Sequence, residues 1–273
     1  YDTADVRTQT RGPAAKTLMQ DGGMWWLRFR EGPLLTYGAA LLGITLVLLA
    51  LFYLIRGRIR IDGEKTGRTI TRFTSVERFG HWLLASSFLI LGVTGLISLF
   101  GRKVLIPAFG HDAFSTVAIA TKWIHNNISW AFMLALVIKF NAGQKLIFWS
   151  TIVLGTSISV SGIALLFPFE FNLFGATFST LNDWGVPGWV GQDALPHPLA
   201  PQEEMQYSQL WHAIASFVLL SIILAHIYIG SVGMEGAFDA MGSGEVEEQW
   251  AREHHSLWVD EVKNAEKNQS RET

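Results

Sequence analysis

The sequence predicts an all-α integral membrane protein, and three observations carry that prediction. Five segments approach the ~20 consecutive apolar residues that a helix needs to cross a bilayer. Lysine and arginine are concentrated in the segment after the first of them and absent from a later, acidic loop. Histidines recur inside the apolar segments, where an ionisable side chain is costly and marks function. The 273 residues are 49% hydrophobic and 12% aromatic with a formal net charge of −2. That balance suits a membrane protein with polar flanks and excludes the basic excess of a nucleic-acid binder.

The spans are predicted at Leu34–Ile55, His81–Phe100, Val117–Ile138, Leu146–Phe167 and Ser208–Val232. The first and fourth contain no charge. The third is the most polar at its start, where Lys122, His125, Asn126 and Asn127 fall together. The domain reading follows: an extension over 1–33, an additional helix over 34–55, a basic segment over 56–80, a four-helix core over 81–232 and a charged tail over 233–273. The tail reads as an amphipathic helix or an arm that docks a partner. The chain begins at Tyr1 and shows no signal-peptide pattern; a processed start and an unresolved one both fit.

Charge gives the orientation. Arg56, Arg58, Arg60, Lys65, Arg68, Arg72 and Arg78 lie between the first two spans, whereas the loop over 170–206 carries Asp183, Asp193, Glu203 and Glu204 and no lysine or arginine. The positive-inside rule makes the basic segment cytoplasmic. Five spans then place the N-terminus outside and the tail inside. Trp25, Trp26, Trp184 and Trp189 are expected as interfacial anchors.

His212 and His226 are fourteen positions apart in the last span, just under four turns, so one helix face presents both, roughly 21 Å apart along the axis. In a hydrocarbon layer about 30 Å thick they occupy opposite halves. By the same topology His81 lies at the inner end of the second span and His125 at the outer end of the third. Depth pairs His81 with His226 and His125 with His212. Imidazole is an axial ligand of haem iron, so the pairs predict two stacked haems b. The sequence contains no cysteine, which excludes thiolate-held iron–sulfur clusters, covalent haem attachment through CxxCH, zinc–thiolate sites and disulfides. His111 and His197 are expected in outer loops, and His254 and His255 in the tail. Gly92 and Gly95, and Gly155, Ser159 and Gly162, form small-residue stripes that fit close helix packing and, secondarily, room for a macrocycle. Arg72, Arg78, Lys122 and Lys145 near the span ends are candidate partners for haem propionates.

The strings around Arg78–Trp82, Ile124–His125, Asn141–Trp149, Leu210–Ala213, Leu224–Tyr228 and Trp250–Trp258 together resemble the cytochrome b (gamma) subunit of membrane-bound formate dehydrogenase. The resemblance covers about Arg72 to Lys263. It implies a four-helix diheme cytochrome b core, with His81 and His226 holding the cytoplasmic-side haem and His125 and His212 the outer one. It also implies a quinone pocket at Asn141, Gly143, Gln144 and Lys145. Its partners would be an iron–sulfur (beta) subunit, a molybdenum or tungsten catalytic (alpha) subunit, quinone and membrane lipid, in the bacterial inner membrane. Formate oxidation would occur on the partner and not on this chain. The first span and the extension before it are additional to compact members of that family. Asn126 stands where a proline is common, and the connection before Lys139 is shorter than the resemblance leads one to expect, as an omitted loop would make it. A nickel–iron hydrogenase cytochrome b shares the same diheme logic. A non-redox membrane anchor, with histidines used only in packing, is the alternative of a different class.

Overall fold

The computed structural model describes residues 23–137 and 145–272, with side chains from 25 to 137 and from 147 to 268. In chain order it contains α1 (Gly23–Phe29), α2 (Leu35–Arg56), β1 (Thr69–Thr71), α3 (Ser75–Val137), α4 (Lys145–Leu166), α5 (Leu173–Asp183), α6 (Val186–Trp189), α7 (Pro201–Tyr228), α8 (Asp239–Gly242), β2 (Glu245–Glu247) and α9 (Glu248–Glu272). Single π-helical turns, Arg30–Leu34 and Ile229–Gly233, lead into α2 and out of α7. Four helical elements are long and apolar enough to cross a membrane: Trp25–Arg56, Ser75–Val137, Ile147–Leu166 and Pro201–Gly233. The protein is an all-α membrane protein.

The 63-residue α3 is two helices run together at Gly110, whose backbone is non-helical (φ 82°, ψ 175°). Only glycine adopts that conformation without strain. The second and third predicted spans therefore share one element. Residues 101–109 and 111–116, expected between spans, are helical on either side of Gly110, because no run of turn-forming residues interrupts them. His111, expected in a loop, accordingly sits on this element, exposed. A capping box opens α3: Glu77 Oε2 accepts from the Thr74 amide at 2.8 Å, and Thr74 Oγ1 accepts from the Glu77 amide at 3.3 Å. It fixes the helix start just before His81.

The chain divides into two compact units. The first comprises Tyr1–Ala39 and Val160–Ile214. Within it, buried Glu204 accepts from the amides of Phe174 and Gly175 at 2.6 and 2.8 Å, capping α5 with a carboxylate. A negative charge there offsets the orphan amides of the helix start. Tyr207 packs against Phe174, Phe178 and Trp25, and Asn182 clamps both the amide and the carbonyl of Leu195. Trp25, Trp184 and Trp189 are exposed.

The second unit comprises Ala40–Ser159 and Ala215–Thr273. The buried face of the first half of α3 repeats every seven residues through Gly80, Ser87, Thr94 and Gly101. Small side chains at heptad spacing let neighbouring helices approach. A Cβ at Gly92 would meet Leu220 at 2.9 Å, and one at Gly155 would meet Leu136 at 3.2 Å. Phe88 packs on Phe132, and Phe100 on Phe217. Most of α2 is exposed, with Phe52 and Tyr53 edge-on to Tyr228.

The tail does more than extend as an arm. With the basic segment it forms a polar cap in which β1 and β2 pair antiparallel, Ile70 opposite Val246. Val246, Ala251 and Val259 are fully buried beside Trp250 and Ala240, with Ile61, Ile70, Phe73 and Trp258 packed on them. Arg72 lies over the Trp258 ring at 4.3 Å, a cation–π contact. Ile59 bridges to Met234, and Glu253 accepts from the amides of Asp62 and Gly63 at 3.0 and 2.8 Å. Buried Glu248 holds Arg252 at 2.8 Å and also Lys263.

Acid should loosen this cap in two steps. Burial, then the charges of Arg72 and His254, lowers the pKa of His255. Protonating it therefore opposes the fold, and its contribution fades below about pH 6.5. Hydrogen bonds from Lys263, then Arg252, hold the Glu248 carboxyl below the ordinary carboxylate range. That stabilisation is complete above about pH 4.3 and is lost as pH falls through the lower folded value. Hydrogen exchange in β2 and α9, corrected for intrinsic rates, should be flat at neutral pH, then rise gently and finally steeply. Glu248→Gln should remove the steep phase. Val246→Ala should weaken the cap at all pH values, by roughly 2 kcal/mol.

Candidate functional site

Four histidines sit on the long apolar elements, and the structure gives each a distinct environment. His81, in the second turn of α3, and His226, near the end of α7, face each other with ring centres 6.3 Å apart and planes at 64°. Trp82 is edge-on to His81 at 5.2 Å, and its indole N–H donates to the Met241 carbonyl at 2.9 Å. The Nδ1 atom of His81 is buried with no hydrogen-bond partner among the described residues. Three residues after His226 the helix widens into the π turn Ile229–Gly233, a distortion common at functional sites. Gly233 is required there, since a Cβ would come within 2.6 Å of the Tyr228 ring.

His125, in the second half of α3, has Nδ1 2.9 Å from Thr94 Oγ1. A Cβ at Gly95 would lie 3.6 Å from its Cε1. His212, in α7, has Nδ1 3.2 Å from Ser161 Oγ. A Cβ at Gly162 would lie 3.3 Å from its Cε1. The two environments repeat one device: a hydroxyl residue followed by glycine, the hydroxyl on the ring nitrogen and the glycine under the ring edge. Gly95 and Gly162 belong to the small-residue stripes expected from the sequence. Thr94 and Ser161 are not among the residues expected there, although each directly precedes one of those glycines.

These environments fit haem better than a bare metal ion. Among the described residues no group of three or more His, Cys, Asp or Glu side chains could hold one. A metal–imidazole bond is about 2 Å long, so two rings on opposite sides of one iron have centres roughly 6 Å apart. His81 and His226 have that separation, and His81 keeps a buried nitrogen without a partner. At His125 and His212 the nitrogen in contact with a hydroxyl is Nδ1, an arrangement compatible with ligation through Nε2.

Of the propionate candidates, Arg72 is stacked on Trp258, and Arg78 donates through Nη1 to the Gly242 carbonyl. The Arg78 Nε is buried without a partner among the described residues. Lys122 is exposed. His197 is exposed, and His254 stacks on Trp250. Asn141, Gly143 and Gln144 lie outside the described residues, as does the side chain of Lys145.

A helical membrane protein with imidazoles set inside apolar helices, and no thiol ligand anywhere in its sequence, defines a carrier of non-covalently bound haem. The chain belongs to the prokaryotic cytochrome b561 family, whose profile matches residues 72–244. It is similar to the formate dehydrogenase cytochrome b556(fdo) subunit of Escherichia coli strain K12, 27% identical over 225 residues, covering 71% of this chain and 94% of that protein. It is also similar to the nitrate-inducible formate dehydrogenase cytochrome b556(Fdn) subunit of the same strain, 25% identical over 231 residues, covering 73% and 94%. The formate dehydrogenase cytochrome b556 subunit of Haemophilus influenzae is 23% identical over 225 residues, covering 70% and 83%. Membership of a cytochrome b family implies haem b.

The glycine contacts separate packing from ligand support. Gly95→Ala adds a methyl at ordinary contact distance and should leave haem content and spectrum unchanged. Gly162→Leu drives a branched side chain into the His212 ring and should lower haem content. Equal haem content in the two purified variants would show that Gly162 serves helix packing alone.

Proposed function

We propose that this chain is the membrane-anchoring diheme cytochrome b subunit of a formate dehydrogenase complex, passing electrons from a partner iron–sulfur subunit to quinone. The carrying observation is the set of four intramembrane histidines, together with relatives whose names place them in formate dehydrogenases. His81 and His226 hold the haem on the cytoplasmic side; His125 and His212 hold the outer one. Haem b bound at these sites would supply one-electron transfer. The apolar faces of the helices would exclude water, and the two histidine pairs would hold their haems at different depths. The sequence has no cysteine to hold an iron–sulfur cluster, so in this reading the clusters lie on a partner chain and formate chemistry on a molybdenum or tungsten subunit.

Topology follows the charges. The arginine-rich segment and the tail, which share the cap, are cytoplasmic in the bacterial inner membrane; the acidic loop after α4 faces outward. Asn141 and Gln144 donate to quinone oxygens, Gly143 lets the ring approach, and Lys145 adds positive charge. A quinone site needs these donors beside an apolar slot.

Pyridine haemochrome analysis of the purified complex should give about two haems per chain, each reducible by formate and not by hydrogen. His81→Ala and His226→Ala should each remove one spectral component; His125→Ala and His212→Ala should each remove the other. Loss of a shared component by His81→Ala and His212→Ala would refute the pairing. Reduction by hydrogen alone would assign the chain to a hydrogenase.

Asn141→Leu should keep both haems and their reduction by formate, yet slow their reoxidation at saturating quinone. The variant loses a donor to the charged oxygen of reduced quinone. A normal stopped-flow reoxidation rate in an assembled Asn141→Leu/Gln144→Leu complex would place the quinone site elsewhere.

A further inference from the structure

Building on the diheme reading above, we propose that Thr94 and Ser161 are positioning residues for the outer haem. Each hydroxyl accepts the Nδ1 proton of one ligand imidazole, commits Nε2 to the iron and lowers the midpoint potential of that haem.

The assignment starts from proton bookkeeping at Thr94. Its hydroxyl carries one proton, and the Ile90 and Leu91 carbonyls stand 2.8 and 3.1 Å from Oγ1. Carbonyls only accept, so the threonine proton is directed at the helix backbone. The same oxygen lies 2.9 Å from His125 Nδ1 and must accept there. His125 is therefore the Nδ1–H tautomer, with an unprotonated Nε2. Had Thr94 donated instead, Nε2 would carry the proton and could not ligate.

Ser161 repeats the arrangement on a different helix. It is fully buried, and its Oγ lies 3.2 Å from His212 Nδ1. A serine inside a helix commonly directs its proton to the carbonyl one turn back, leaving its oxygen to accept. Gly95 and Gly162, the next residues, leave room for the two ring edges. His81 is built differently, because its Nδ1 has no partner among the described residues. A hydrogen bond from the second ring nitrogen makes an imidazole a stronger electron donor. A stronger donor favours the ferric state, so the doubly supported haem is held at lower potential than its bare ligands would set.

The test uses the intact purified complex with Thr94→Val, Thr94→Ser and Ser161→Ala, followed by optical redox titration, haem counting and low-spin ferric electron paramagnetic resonance. Thr94→Val and Ser161→Ala should raise the midpoint potential of one and the same haem and shift its resonance, while the second haem is unmoved. Haem affinity at that site should fall by about 10- to 100-fold. Thr94→Ser keeps the hydroxyl and should match the wild type. If Thr94→Val does not assemble, Ser161→Ala and Thr94→Ser carry the measurement. Unmoved potentials in variants that retain two haems would overturn the proposal, as would Thr94→Ser behaving like Thr94→Val. A wild-type complex with fewer than two haems would instead overturn the diheme reading beneath it.

Discussion

An imidazole placed in hydrocarbon must account for both of its ring nitrogens. In water either nitrogen exchanges partners with solvent; inside a bilayer an unpaired polar atom costs several kcal/mol. The half-buried histidines meet this demand in different ways. His125 and His212 have a hydroxyl on Nδ1. His81 leaves Nδ1 without a partner among the described residues, and faces His226 across 6.3 Å. Around these rings the helices must come close without filling the space, and that explains the residues of α3. Its buried face is a heptad of Gly80, Ser87, Thr94 and Gly101, in which Thr94 serves packing and hydrogen bonding together. A larger apolar residue would remove the hydroxyl and crowd the ring.

The cap answers a second problem, that of fixing the depth of His81. The residue lies in the second turn of α3, where helix ends fray. The Thr74–Glu77 capping box sets the helix start, β1 ties the preceding chain to β2, and Trp82 and Arg78 bond carbonyls of Met241 and Gly242. The segments on either side of the second unit's helices thus hold one histidine in place. Arg78, an arginine that the sequence offers for its charge, also anchors the tail through its Nη1.

Much of the membrane part was legible in the sequence because lipid imposes a simple code of length, hydropathy and charge. The apolar segments fall on the long helices, and the family resemblance agrees with the matched profile over residues 72–244. What escaped was mostly long-range or polar. Glu204 reads as one more charge in an acidic loop, yet it caps a helix that begins about 30 residues earlier. Nothing local signals that partnership. The cap escaped for the same reason: Val246 and Ile70 are 176 positions apart, and a three-residue strand has too little alternation to register. The helical stretch before Gly110 was missed because moderate polarity resembles a loop to a hydropathy count.

Thr94 and Ser161 are a different kind of omission, because their signal was present. A Thr-Gly and a Ser-Gly pair each occur inside an apolar helix, where glycine is a poor helix former and a hydroxyl has only the backbone one turn back to satisfy it. Two such pairs in helices that also supply or face histidines is a pattern with a mechanism. The hydroxyl spends its proton on its own helix and offers its oxygen outward, as an acceptor that carries no charge. A carboxylate would bind the Nδ1 proton more strongly, but would introduce a net charge into the hydrocarbon layer. A backbone carbonyl would need the helices to be rotated together. A small hydroxyl beside a glycine meets the electrostatic and the steric requirement at once, so residues that look least functional in the apolar segments can set the tautomer of the His125 and His212 rings beside them.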